Sequence, residues 1–254
     1  MSALAESERA LASQRIVVTG GSRGLGLGIV EALVARGADV TVVARTAGPL
    51  AEVQARLGVA TIAGDVTDPA VVDRVLSTAR PDVLVLNAGA GVPMAPLHEH
   101  TWESFSSTWE HDVKAGFLWM QAALRTMQRG RVLVVSSGAA VGGSPLSGGY
   151  AGAKRMLWWM ADYANACAAE LDRELRFQTL IPAQLFGDTA FGHAVASAYA
   201  RRKGVPVEAF LAGFGGPCSA REFGEHVATV LVDSRHRAAK AFTIKGDTGL
   251  QAVP

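Results

Sequence analysis

Cysteine is scarce in this sequence. The two cysteines, Cys167 and Cys218, stand far apart and show no Cys-x-x-Cys spacing, so neither a disulfide framework nor a zinc site is indicated. We therefore expect a reducing compartment, the cytoplasm being the simplest one, and no bound metal.

Net charge and long apolar segments are also lacking. The formal net charge is +1, and we interpret the longest basic cluster, Arg201, Arg202 and Lys203, as a solvated helix face, so nucleic acids and anionic membranes are not expected as main partners. No window approaches the ~20 apolar residues of a membrane span. The first 14 residues lack the apolar stretch of a signal peptide, and we interpret them as an extension before one domain, residues 15–254.

Short apolar runs alternate with helix-like segments along the chain. Seven runs predict strands, at residues 15–19, 40–43, 59–63, 83–86, 132–135, 177–181 and 241–244. This alternation predicts an α/β fold whose parallel sheet is covered by helices on both faces. Residues 187–217 interrupt it near the end of a strand, where we expect a lid over the binding crevice.

A glycine-rich turn separates the first predicted strand from a helix. Gly20, Gly24 and Gly26 leave backbone N–H groups free and place no Cβ in the way, as a phosphate at a helix N-terminus requires. Such a loop can also be only a tight turn, but the strand before it and the helix after it favour a dinucleotide site.

Tyr150 and Lys154 are four residues apart where another helix begins, so both side chains fall on one face. An ammonium stabilises a phenolate and would move the tyrosine pKa from ~10 toward the pH at which it exchanges protons with a substrate. The spacing alone occurs by chance in many helices. Together with the glycine loop it indicates a nicotinamide-dependent oxidoreductase.

These motifs resemble the single-domain branch of the short-chain dehydrogenase/reductase family. The resemblance extends from residue 16 to about residue 249, and its landmarks occur in order: the glycine loop, Asp65-Val66, Asn87-Ala88-Gly89, Ser137 with Tyr150 and Lys154, and Ile181-Pro182. It implies a Rossmann-type, doubly wound parallel sheet of about seven strands, and a carbonyl reductase or secondary alcohol dehydrogenase.

The resemblance also implies a role for each matching residue. Tyr150 would be the general acid or base, Lys154 would hold the nicotinamide ribose and polarise Tyr150, and Ser137, with Ser136 as the alternative, would bind the substrate oxygen. The positions implied for cofactor binding are Gly20, Ser22, Arg23, Gly24, Leu25, Gly26, Arg45, Asp65, Val66, Asn87, Ala88, Gly89, Tyr150, Lys154, Pro182, Ala183 and Thr189.

Arg23 and Arg45 favour NADP(H) over NAD(H), because an adenosine 2′-phosphate needs a charge-assisted donor and no acidic residue ends the second strand. Each could also be a solvated surface arginine.

Two positions depart from the family pattern. Asp112 replaces an asparagine that supports a proton relay, and is either catalytic or a helix-face charge; Thr189 is displaced by two positions from the usual threonine.

The substrate side is predicted to be mainly apolar. The residues expected around the substrate, besides Ser137, are Val92, Met94, Leu146, Gln184 and Phe186, with the lid aromatics Phe191, Phe210 and Phe214. They suit a moderately apolar ketone or alcohol, although the lid residues could simply pack on the sheet. Trp158 and Trp159 are adjacent in one helix and cannot both face the sheet, so one of them should emerge on the outer face. The family resemblance implies that this helix pairs with its counterpart in another subunit, in a homodimer or homotetramer, and the alternative is that the indole is covered within the same chain.

Other functions on the same fold are weighed against this one. A catalytically silent dinucleotide-sensing or scaffold protein would be favoured by loss of Tyr150 or Lys154, and both are present. A lyase-like halohydrin dehalogenase is disfavoured. In such enzymes the phosphate loop is replaced and the lysine becomes arginine, and this sequence shows neither change. The longer epimerase and dehydratase branch generally needs a larger C-terminal domain and another glycine spacing.

Overall fold

The computed structural model describes residues 10–253, which form one eight-stranded sheet. The strands are β1 Arg15–Thr19, β2 Asp39–Ala44, β3 Ala60–Ala63, β4 Val83–Leu86, β5 Arg129–Val135, β6 Glu174–Pro182, β7 Ala241–Lys245 and β8 Gly249–Val253. Their order across the sheet is β3-β2-β1-β4-β5-β6-β7-β8. Every neighbouring pair is parallel except β7 and β8. Most of the predicted extension, residues 1–9, lies outside the described residues.

Ten α-helices occur among the described residues. They are α1 Gly24–Val34, α2 Ala47–Leu57, α3 Pro69–Ala79, α4 Trp102–Thr108, α5 Lys114–Thr126, α6 Ala139–Gly142, α7 Tyr150–Glu170, α8 Ala190–Lys203, α9 Val207–Ala212 and α10 Ala220–Val232. None of the helices within residues 10–253 is long and apolar enough to cross a membrane.

Helices cover both faces of the sheet, because the central strands are apolar on both sides. All four residues of β4 are buried. One core cluster joins Leu33 of α1 and Phe223 of α10 to the sheet, and a second joins Trp119 of α5 and Leu157 of α7 to it. The predicted doubly wound α/β architecture is therefore confirmed.

The sheet has one strand more than the sequence predicts. β8 runs back along β7 after the three residues 246–248, and two of its residues, Gln251 and Ala252, are exposed. A half-exposed edge strand has no continuous apolar run, so the pattern that revealed the buried strands did not extend to it.

The carboxyl ends of the parallel strands bring the predicted motifs to one edge of the sheet. The glycine loop follows β1, Asn87 follows β4, Ser137 follows β5, and Pro182 ends β6. The strand order reverses between β1 and β4, which is where an open α/β sheet forms its binding crevice. Helices α8 and α9 occupy the segment predicted to be a lid.

Candidate active site

The glycine loop forms a close backbone turn at the start of α1. Gly20 has a φ of 68°, and a Cβ on Gly26 would lie 2.1 Å from the Gly20 carbonyl oxygen, so a side chain at Gly26 would clash with the loop. Arg23 occupies the N-cap without making a side-chain cap hydrogen bond. The loop thus presents a positive helix end with no Cβ in the way, and it fits a dinucleotide phosphate.

Asn87 fastens the end of β4 to this loop. Its Nδ2 donates to the carbonyl oxygens of Thr19, at 3.1 Å, and Gly20, at 3.3 Å. The hydroxyl oxygen of Thr19 accepts in return from the backbone N–H groups of Asn87, at 3.0 Å, and Ala88, at 3.1 Å. These four bonds fix the turn that carries Gly89 relative to the phosphate loop.

The predicted adenine side lies beyond β2 and β3. Asp65 accepts hydrogen bonds from the N–H and the hydroxyl of Thr67, both at 2.8 Å, and these bonds lower the pKa of Asp65 despite its partial burial. Val66 is buried, and its carbonyl oxygen accepts from the indole of Trp119 at 3.0 Å. Arg45 is exposed and contributes to the lowered pKa of Asp65 through its charge.

Arg23 and Arg45 are both exposed, and neither has an ion-pair partner in the part of the chain that the structure describes. Their guanidinium groups are thus not neutralised by a neighbouring carboxylate. Arg23 directly precedes α1 and Arg45 directly follows β2, so the two border the crevice from adjacent strands.

Tyr150 and Lys154 lie on the first turns of α7, and both side chains are buried. The Lys154 ammonium is 5.7 Å from the centre of the Tyr150 ring. Of the two candidate serines, Ser136 is buried and donates its hydroxyl to the Lys154 carbonyl at 2.8 Å, whereas Ser137 lines the large cavity together with Tyr150. Of the two serines, Ser137 is therefore the one whose position suits a hydrogen bond to a substrate oxygen.

Asp112 lies in a π-helical turn, Trp109–Val113, a feature that often marks functional sites. Its side chain is buried, and one carboxylate oxygen is 3.1 Å from the Lys154 ammonium. The other oxygen accepts from the Ala90 N–H at 2.8 Å and lies 3.2 Å from the His111 ring nitrogen Nδ1. The alternative of a solvated helix-face charge does not hold, because Asp112 forms a buried ion pair with Lys154.

The ion pair changes the charge balance around Tyr150. Burial raises the pKa of Tyr150, and although Lys154 and a hydrogen bond from Ser137 oppose this, the nearby Asp112 carboxylate adds to the increase. Burial would raise the pKa of Asp112 as well, but Lys154, His111 and Ala90 together lower it. The expected downward shift of the Tyr150 pKa is therefore wrong, because burial and Asp112 outweigh the ammonium.

A cavity of about 670 Å³ opens beside these groups. Ser137 and Tyr150 form part of its wall, and the aromatic rings of Phe191, Phe210 and Phe214 form another part. The ring of Phe191 lies 5.8 Å from that of Tyr150. The cavity thus places two hydroxyl groups next to a mainly apolar space, an arrangement that can bind and protonate the oxygen of an apolar ketone.

Sequence comparison agrees with this geometry. The family model described as short chain dehydrogenase matches residues 14–200. The chain belongs to this family. The predicted family assignment is therefore confirmed.

Individual relatives match a part of the chain. A "Probable oxidoreductase" of Streptomyces lividans is 38% identical over 52% of this chain and 48% of its own length. A 3-oxoacyl-acyl-carrier-protein reductase, MabA, of Mycobacterium tuberculosis is 34% identical over 63% of this chain and 64% of its own. The human L-xylulose reductase is 35% identical over 41% and 43%. The chain thus spans about half to two thirds of the length of these relatives.

Several predicted substrate residues of this short-chain dehydrogenase lie away from the cavity. Val92 and Gln184 line it, but Met94 and Leu146 do not. Phe186 is buried in the sheet core, where its ring packs 5.5 Å from that of Phe223. The reason is that the chain turns after β6, so Leu185 faces the cavity and the next side chain faces the core.

Gln184 and Thr189, the polar site residues predicted after β6, both form hydrogen bonds within the protein. The Gln184 side chain accepts from the Gly246 N–H at 2.6 Å and donates to the Gly216 carbonyl at 3.4 Å, so it joins the base of the lid to the end of β7. Thr189 caps α8 through its hydroxyl, which accepts from the Gly192 N–H at 2.9 Å. Pro182 and Ala183 line the cavity.

Sequence reasoning missed other residues of this site. His111 is next to Asp112 in the π-helical turn. Tyr199 and Lys203 line the cavity, and the Tyr199 hydroxyl lies 2.7 Å from that of Ser144. The sequence spacing could have revealed Tyr199 and Lys203. They continue a four-residue interval that begins at Phe191 and includes Val195, so all four side chains lie on one helix face.

Proposed function

We propose that the protein is an NADPH-dependent carbonyl reductase or secondary alcohol dehydrogenase that acts on a moderately apolar ketone or alcohol. The observation that carries this proposal is the shared wall of Ser137 and Tyr150 in a largely apolar cavity, with Lys154 and Asp112 directly behind Tyr150. Two of the named relatives are reductases, which supports the same direction of reaction.

Each residue has a role in the proposed mechanism. A nicotinamide cofactor would supply the hydride chemistry, and Lys154 would hold its ribose. The Ser137 hydroxyl donates a hydrogen bond to the substrate oxygen as negative charge develops there. Tyr150 then transfers its hydroxyl proton to that oxygen, and Lys154 stabilises the resulting phenolate. Asp112 fixes the position of the Lys154 ammonium.

The proposal of NADP(H) rather than NAD(H) rests on Arg23 and Arg45, which have no ion-pair partner within residues 10–253. We expect NADPH to bind more tightly than NADH, because Arg23 and Arg45 can pair with a 2′-phosphate. Replacing Arg45 with Asp should weaken NADPH binding by at least about tenfold, because a charge-assisted hydrogen bond is lost and a carboxylate is placed near the 2′-phosphate. NADH binding should be kept or strengthened, because an acidic residue after the second strand can hold the ribose hydroxyls. The measurement is a fluorescence titration with each reduced nicotinamide.

The exposed Arg80, which ends α3 in a left-handed conformation that Asp tolerates, offers a control. Arg80→Asp makes the same charge change away from the crevice, so it should leave both titrations unchanged. Preference of the unaltered protein for NADH would contradict the assignment of NADP(H).

The raised pKa of Tyr150 predicts the pH dependence of the two directions. Reduction needs the protonated hydroxyl, so kcat/KM for the ketone should stay level through neutral pH and fall only at alkaline pH, while alcohol oxidation should rise with pH. Asp112→Asn removes the negative charge behind Lys154 and should move both profiles to lower pH by about one unit. An unchanged profile, or a shift to higher pH, would contradict this role of Asp112.

The partner surface is proposed on α5 and α7. Trp159 emerges from α7 as predicted, half exposed, and Phe117 of α5 and Tyr163 of α7 are also about half exposed. The two helices pack on each other, and large aromatics are enriched in protein interfaces. We infer that a second copy of the chain covers these side chains, in a homodimer or a homotetramer.

Analytical ultracentrifugation tests this assembly. The protein should sediment as a dimer or tetramer at micromolar concentration, and Trp159→Glu should weaken association by about tenfold or more, because it places a charge among apolar groups. Leu97→Glu makes the same kind of change at an exposed side chain outside these helices and should have no effect. A monomer at all concentrations would contradict the proposal.

The cellular setting is proposed to be the cytoplasm, because Cys167 and Cys218 are both free thiols.

The alternative of a silent dinucleotide-sensing protein shares the phosphate loop but needs no cavity beside Tyr150. Cofactor binding without turnover of any ketone or alcohol would favour that alternative.

A further inference from the structure

One wall of the large cavity is formed by a single stripe along α8. Phe191, Val195, Tyr199 and Lys203 all line the cavity and follow one another at intervals of four residues. Side chains at this spacing lie on neighbouring turns of the same helix face. With a rise of about 1.5 Å per residue, the backbone distance from Phe191 to Lys203 is roughly 18 Å. The cavity is therefore elongated along this helix.

The two ends of the stripe differ in chemistry. Phe191 contacts Tyr150, so its end of the cavity is where the proton is transferred. At the other end, the ring of Tyr199 stacks on that of Phe210 with their centres 5.8 Å apart, and the Lys203 ammonium is 5.1 Å from the centre of Phe210. The far end of the cavity thus consists of a stacked Tyr199–Phe210 pair and a cation–π contact from Lys203 to Phe210.

Among the described residues that line this cavity, Lys203 is the one charged side chain, and it lies exposed at the edge of the cavity. No carboxylate within residues 10–253 lies at ion-pair distance from it. Cations in the last turn of a helix are favoured by the helix dipole, and this accounts for the whole cluster of Arg201, Arg202 and Lys203. Of these three residues, Lys203 alone also borders the cavity, with its side chain accessible from both the cavity and the solvent.

We propose that the substrate is an elongated, mainly apolar ketone or secondary alcohol with a carboxylate at its far end, and that Lys203 binds this carboxylate. This inference rests on the proposed function for the reacting end. The carbonyl would lie at Ser137 and Tyr150, the chain would run along Val195 and Tyr199, and the anion would meet the ammonium beside Phe210.

The kinetic test compares a straight-chain oxo acid, whose ketone and carboxylate stand at opposite ends, with its neutral methyl ester. Lys203→Gln should raise KM for the acid by about threefold to fivefold, the effect of losing one solvent-exposed ion pair, and change KM for the ester by less than about 1.5-fold. Arg202→Gln removes the neighbouring charge, which is not in the cavity wall, and should leave both values unchanged. Equal KM values for acid and ester in the unaltered protein would overturn the inference.

A binding test keeps the inference separate from catalysis. Titration calorimetry of the cofactor-free protein with decanoate and with decanol should show tighter binding of decanoate, and Lys203→Gln should abolish that difference while Lys203→Arg preserves it. Absence of any preference for decanoate would overturn the anion site even if ketones are reduced. Preference for decanoate without turnover of any ketone would leave the anion site standing and contradict the proposed function.

Discussion

Replacing Tyr150 with Phe is expected to lower kcat/KM for ketone reduction by about a hundredfold to ten-thousandfold, the usual contribution of a positioned proton donor. Phe keeps the ring that contacts Phe191 and removes only the hydroxyl that faces the cavity. The free energy of unfolding should therefore change little, and NADPH should still bind through the phosphate loop, the arginines and Lys154, with at most a severalfold loss of affinity for the missing Tyr150 hydroxyl. Steady-state kinetics and a fluorescence titration of the same preparation measure both effects.

Tyr163 provides the matched control for this variant. It lies on the same helix, α7, and its side chain is exposed. Tyr163→Phe should keep the activity within about twofold, because its hydroxyl does not line the cavity and Phe keeps the ring on the proposed partner surface. A Tyr150→Phe variant that retains a tenth or more of the activity would assign the proton donor to another group.

Replacing Lys154 with Met is expected to reduce both activity and stability. The ammonium is buried against the Asp112 carboxylate at 3.1 Å, and removing one partner of a buried ion pair typically costs about 3–5 kcal/mol. Activity should fall by at least a hundredfold, because the phenolate of Tyr150 loses its cation. Urea unfolding at neutral pH and steady-state kinetics are the measurements.

The double variant Asp112→Asn with Lys154→Met separates the two losses. The neutral amide needs no cation, so the double variant should recover most of the free energy of unfolding but none of the activity. The single variant Lys154→Met should also approach the stability of the unaltered protein as the pH falls. Lys154 keeps the pKa of Asp112 low, and without it the buried carboxyl becomes protonated at a higher pH. A stability deficit that does not change between neutral and acid pH would contradict the ion pair.

The phosphate loop was predictable because its chemistry is local. A strand, three glycines and a helix within a short segment are enough to specify a turn that brings Gly26 against the Gly20 carbonyl, and that contact is present. The buried strands were predictable for a similar reason, since a parallel strand covered on both faces is a short continuous apolar run. The edge strand β8 lacks such a run and was missed.

The pairing of Asp112 with Lys154 was beyond the sequence pattern. The two residues lie on different helical segments 42 positions apart, and the π-helical turn that directs Asp112 inward has no recognised sequence signal in this segment. Phe186 was misplaced for a comparable reason. Its side chain direction depends on how the chain turns after β6, and the turn sends it into the core beside Phe223.

The lid illustrates what spacing can and cannot predict. The four-residue interval from Phe191 to Lys203 was visible in the sequence and indicates one helix face. Which way that face points depends on how α8 packs on the rest of the domain. Lys203 was interpreted as a solvated charge, and its side chain is indeed exposed. That it also borders the cavity was not predictable from the spacing.

The most direct test of the account follows one hydrogen atom. NADPH carrying deuterium at the transferred position is incubated with the protein and a panel of straight-chain ketones and oxo acids, and the products are analysed by mass spectrometry. The account predicts an alcohol with one deuterium on the former carbonyl carbon, formed by the unaltered protein and lost in Tyr150→Phe. Cofactor binding with no deuterated alcohol from any member of the panel would contradict it.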